Sequence, residues 1–177
     1  KMGWISNFMS KAVMAGFILQ GNLTYTAGAV DTGGLNLTIG GTSDGTVDAS
    51  IGQLDSLTIN NSGTRAFTGT LEVLGATTLT NAGTLNGGAI RALGNVHFAD
   101  STYDGSTIIQ LAGSADQNVT ADGASSLIRN LEINKSGGTA TFANSFKATG
   151  SMTHTAGNVN LSGTTARFES SGLLLDT

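Results

Sequence analysis

The feature that most constrains this chain is that it repeats itself. Leu57-Thr-Ile-Asn-Asn61, followed by Ser62-Gly63, returns further on as Leu131-Glu-Ile-Asn-Lys135, followed by Ser136-Gly137. Each copy leads into a stretch carrying a phenylalanine, Ala66-Phe67 in one and Thr141-Phe142 in the other. Segment 21–31 recurs at 150–160 and, more loosely, at 75–86, while 37–44 matches 109–116. Periodic self-similarity built from short segments is the mark of a solenoid, in which each turn buries its apolar side on the next. With turns of roughly 20 residues, the interval from Leu57 to Leu131 makes three to four turns and the body seven or eight. At about 4.8 Å per turn, that is a rod on the order of 35 Å long.

The residue types decide between helical and β turns. Runs of Ala, Leu, Glu, Lys and Arg, which long helices need, are missing after the N-terminal segment 1–20, whereas Thr, Val and Ile are spread throughout. The chain has no Pro, which suits strands that donate backbone hydrogen bonds on both sides. A net charge of −4 with 39% hydrophobic residues argues against disorder. Eight scattered Lys and Arg and a pI of about 4.8 exclude a nucleic-acid-binding surface. Without Cys there are no disulfides, thiol nucleophiles or zinc-thiolate sites. No run reaches the roughly 18 apolar residues of a membrane span.

Along the chain, residues 1–20 form the first expected unit. Trp4, Ile5, Phe8, Met9, Ala12, Val13 and Gly16 share one face of an amphipathic helix over 3–19. It is expected to cap the first turn of the body. The competing readings are a secretory signal segment and a helix that packs on another subunit or a membrane surface. The second unit, 21–177, consists of short strands in two related halves, about 21–93 and 94–170. Leu57-x-Ile59, Leu71-x-Val73, Val96-x-Phe98 and Leu131-x-Ile133 alternate, so one face of each strand is buried. Asp44-Gly45, Asp104-Gly105, Asp122-Gly123, Ser62-Gly63 and Ser136-Gly137 mark turns where glycine is expected to supply positive φ. Recurrent Thr and Asn are expected to form ladders between turns. The fold expected is therefore all-β, a right-handed parallel β-helix with an N-terminal amphipathic capping helix.

The combination of 131–139 with 150–159, preceded by 113–120, resembles the β-solenoid repeats of long secreted or surface-displayed bacterial proteins, such as adhesin and autotransporter passenger domains. The resemblance covers about 21–163. It implies a right-handed parallel β-helix, export from the cell, and a role as stalk, adhesin or filament.

Parallel β-helices can also carry polysaccharide lyases and glycosidases, which need carboxylates converging on one face. The chain has only twelve carboxylates. Asp100 with Asp104 is the densest pair, readable as a calcium site but more simply as an Asx turn. Asp44 and Asp116 hold equivalent repeat positions, which reads as turn chemistry. His97 and His154 fall in strands and read as aromatic-sized positions rather than metal ligands or bases. Arg65, Arg91, Arg129 and Arg167 are isolated along the sequence. No nucleophile motif, phosphate loop or metal spacing occurs. The expectation is no catalysis and no cofactor.

What remains is a structural rod of an extracellular or cell-surface appendage, with a carbohydrate-binding or -cleaving fibre segment and an adhesin stalk as alternatives. The expected partner is a second copy or the rest of a longer chain, since Lys1-Met2 is an unusual start and Leu173, Leu174 and Leu175 end in an uncapped apolar strand. Trp4, Ile5, Phe8, Met9 and Val13 of one copy, with Leu173, Leu174 and Leu175 of the next, are the expected head-to-tail interface.

Overall fold

The computed structural model describes residues 16–25, 34–99, 103–122 and 127–168, with 173–175 as backbone alone. These form an all-β parallel solenoid of about 7 turns with almost no helix, apart from a single 3-10 turn at Ala49–Ile51. Every pair of strands among the described residues is parallel.

Each turn has three faces. On the first, Phe17, Leu37, Leu57, Thr77, Val96, Val119 and Phe142 follow one another in register. The second carries Gly45, Arg65, Leu85 and Gly105, and in later turns Leu127, Lys147 and Arg167. The third stacks Leu54, Val73, Ala92, Leu111, Ile133 and His154. Turn length varies along these rows: the step from Val96 to Val119 is three positions longer than the step from Leu37 to Leu57.

Strand alternation sends Leu, Ile, Val and Phe inward from all three faces. Ile39, Ile59, Leu79 and Phe98 form one fully buried row and Leu54, Val73, Ala92 and Leu111 another. Two aromatic stacks complete the interior, Phe98 on Tyr103 with centroids 6.0 Å apart and Phe142 on Phe146 at 4.8 Å. A strand in the stack bonds to the turns before and after it, which is why a proline-free chain suits this fold.

Three expectations need correction or refinement. The helix expected over 3–19 does not extend to its C-terminal end: Phe17–Leu19 is a strand paired with Leu37, Thr38 and Ile39. Phe17 and Leu19 are half-buried while Ile18 is 68% exposed, so pleat alternation, not a helical stripe, arranges them. Trp4, Ile5, Phe8, Met9 and Val13 lie outside the described residues.

The second correction concerns glycine. Gly45, Gly63 and Gly137 are not at positive φ, and Gly123 lies outside the described residues. Gly45 and Gly63 are needed for closeness: a Cβ on Gly45 would collide with Arg65 Nη1 and stand 2.8 Å from the Gly21 carbonyl oxygen, and one on Gly63 would stand 2.7 Å from the Thr42 carbonyl oxygen. Gly105 does have φ +105, as expected of its turn.

The third concerns the repeat. The strand containing Leu131 is the eleventh after the one containing Leu57. With three strands per turn, the copies are therefore three and two-thirds turns apart, which puts Leu57 on the first face and Leu131 on the third. The local structure of the two copies is alike, but it is rotated by one face.

Candidate functional site

The chemistry of the repeat is concentrated at the corner that follows Leu57-x-Ile59 and Leu131-x-Ile133. In the first copy Asn61 is buried, and its Nδ2 donates to the carbonyl oxygens of Gly40 and Ser43 in the preceding turn, both at 3.2 Å. In the second, Lys135 stands in its place. Its Nζ donates to Ala112 O at 3.4 Å, Ala115 O at 2.8 Å and Gln117 Oε1 at 2.7 Å. The same shelf of carbonyls from the turn before is satisfied by an amide in one copy and an ammonium in the other. Burial pushes the Lys135 ammonium below the ordinary lysine value, while nearby Asp116 pulls it back.

A second cation enters the first corner. Arg65 points inward, fully buried, with Nη1 donating to Gly21 O at 2.6 Å and Nη2 to Gly40 O at 3.4 Å. Gly45, opposite it in register, leaves the space it occupies. Burial lowers the Arg65 pKa from its ordinary value and Asp44 opposes that shift. Asp44 and Asp116 themselves accept from the next turn, Asp44 Oδ1 from Thr64 N at 2.7 Å and Asp116 Oδ1 from Thr139 N at 2.8 Å. Their equivalence is thus real, but each ties two turns together instead of closing its own.

Outside, side chains bond along the stack. On the third face Gln53, Glu72, Arg91, Gln110, Glu132 and Thr153 stand in register. Glu72 takes Gln53 Nε2 on one oxygen and Arg91 Nη1 on the other. Glu132 accepts from Gln110 Nε2 at 3.0 Å and Asn134 Nδ2 at 3.1 Å. On the first face Thr38, Thr58, Thr78, His97 and Thr120 form an outer row.

Arg91 and Arg129 are isolated only along the sequence: Arg91 pairs with Glu72, and Arg129 with Asp104 at 2.9 Å. Parallel stacking brings together residues about one turn apart. The equal intervals between Gln53, Glu72, Arg91 and Gln110 are the signal that would have revealed the ladder.

The other predicted positions stay apart. Asp104 Oδ1 accepts from Gly105 N at 2.6 Å, and Asp100 lies outside the described residues. His97 Nε2 meets Asp122 Oδ1 at 2.8 Å on the outer face, whereas His154 Nε2 meets Gly157 O at 2.8 Å. Among the described residues no three His, Cys, Asp or Glu side chains gather as a metal site. Glu72 and Glu132, three steps apart on one ladder, are separated by roughly 14 Å at the strand spacing. The acid and base of a glycosidase need to be within about 10 Å.

A cavity of about 340 Å³ lies within the last turns, lined by Ile133, Met152, His154, Val159, Leu161 and Phe168. Leu161 and Phe168, 38% and 39% exposed, open it to solvent. Leu173, Leu174 and Leu175 form a backbone strand that pairs with Met152, Thr153 and His154. No helix among the described residues is long and apolar enough to cross a membrane. No protein-family model, curated protein or solved structure matches the chain.

Proposed function

We propose that this chain is a structural rod, a right-handed β-solenoid segment of an extracellular or surface appendage, which stacks head to tail on a second copy or on further turns of a longer chain. Right-handedness follows from the general rule for parallel crossover connections. The observation that carries the proposal is where the polar side chains are used. Asp44, Glu72, Gln110, Asp116 and Lys135 each bond to a neighbouring turn, so the polar groups go into axial continuity and not into a convergent site. Such a stack resists bending, because each turn is tied to the next at a corner, in the core and on the outer face.

In this reading the helix expected near the N-terminus covers the first turn, or meets the Leu173–Leu175 strand of the next copy. Electron microscopy of the natural material, together with its mass in solution, tests the proposal. Filaments with an axial repeat near the estimated 35 Å per chain, at about 4.8 Å per turn, are expected. Isolated monomeric rods would refute stacking, and trimeric spikes would move attention to a lateral binding groove.

A further inference from the structure

The two versions of the repeated corner differ in one respect that points to a bound molecule. Asn61 Oδ1 and Arg65 Nε are both buried, and neither has a hydrogen-bond partner among the described residues. One is an acceptor and the other a donor. Their side chains meet at a common atom, since Asn61 Nδ2 and Arg65 Nη2 both donate to Gly40 O. Turning the Asn61 amide over would not help, because Oδ1 would then face the Gly40 and Ser43 carbonyl oxygens. We infer that one ordered water molecule is held at this corner, donating to Asn61 Oδ1 and accepting from Arg65 Nε.

Chemistry selects water over an ion. A cation would meet the Arg65 guanidinium, and an anion that suited Nε would face the Asn61 carbonyl oxygen and the shelf of backbone carbonyls. Water alone both donates and accepts, and buried waters characteristically satisfy such leftover pairs. A fully buried guanidinium has five N–H donors to place, so it gains from a further acceptor.

The second copy supplies the contrast. There the position of Gly45 is taken by Gln117, whose Oε1 accepts directly from Lys135 Nζ. Gln117 Nε2 in turn donates to Ala92 O at 2.9 Å and Gly94 O at 2.7 Å. No side-chain atom of Lys135 or Gln117 is left buried without a partner. One corner closes with side chains alone, whereas the other is completed by water.

A crystal structure of the wild-type protein near atomic resolution tests this directly. Expected is one isolated density peak within hydrogen-bond distance of Asn61 Oδ1 and Arg65 Nε. Three results overturn it: direct pairing of Arg65 Nε with Asn61, no density between them, or an anomalous peak there after a bromide soak, which would identify an anion. The triple variant Gly45→Gln, Asn61→Lys, Arg65→Ala copies the second corner into the first. If it folds, the peak is expected to vanish, and a peak that persists unchanged overturns the assignment. If it does not fold, the wild-type map alone decides.

Discussion

Removing the hydroxyl of Tyr103 is expected to change sign in its effect as pH rises. Tyr103 is buried beneath Phe98, and its hydroxyl oxygen accepts from Arg129 N at 2.5 Å. At neutral pH the Tyr103→Phe variant leaves that amide without its acceptor, which costs about 1–3 kcal/mol. Alkali acts the other way. Burial holds the Tyr103 pKa well above the ordinary tyrosine value, the backbone N–H groups of Arg129 and Asn130 offsetting part of this. The unfolded chain releases the phenolic proton from about pH 10, while the folded chain keeps it. The stability this group contributes is therefore complete below about pH 10 and falls with rising pH until the folded phenol also ionises.

The loss amounts to about 1.4 kcal/mol per pH unit, and the phenylalanine variant does not incur it. Titrations common to both proteins, including that of Lys135, cancel in the difference. The two stability curves should cross between about pH 11 and pH 12. Urea unfolding followed by circular dichroism from neutral pH to beyond that crossing measures both curves, and tyrosinate absorbance reports the titration itself. Parallel curves with no crossing would refute the burial argument. A Tyr103 that releases its proton near pH 10 in the folded protein, as a free tyrosine does, would do the same.

Leu79→Ala removes a fully buried side chain between Ile59 and Phe98, and should destabilise the protein by about 2–5 kcal/mol in denaturant unfolding; a loss under about 1 kcal/mol would mean that the row is not close-packed. Gly45→Ala should be strongly destabilising alone and less so in an Arg65→Ala background, since its Cβ meets both the guanidinium, which that background removes, and the Gly21 carbonyl oxygen at 2.8 Å, which it leaves in place. Equal costs in the two backgrounds, measured by a double-mutant cycle, would contradict the geometry. Glu72→Gln removes a partly exposed ion pair with Arg91, so a change of less than about 1 kcal/mol is expected, shrinking further in high salt.

The corner cages show how far the sequence could be read. The resemblance of 57–61 to 131–135 identified two equivalent corners, and their Asp residues were recognisable as a pair. That Asn61 and Lys135 serve one carbonyl shelf was not legible, because an amide and an ammonium look unrelated until the oxygens they reach are known. Arg65 read as an isolated cation, and only the glycine opposite it, one turn earlier, makes room for it inside.

By itself the sequence determined the all-β character, the approximate length of a turn and the inward rows of Leu, Ile and Val. These depend on neighbours one or two positions apart, through pleat alternation, and on turn residues close to them in the chain. Only the tertiary structure decided which side chains stack, which cations are buried and where the repeat falls around the coil. Those depend on the running total of chain length per turn. The interval from Leu57 to Leu131 is not a whole number of turns, so the second copy of the repeat falls on a different face from the first. Turns of unequal length, shorter from Glu72 to Arg91 than from Leu37 to Leu57 and longer from Val96 to Val119, decide which residues come into register.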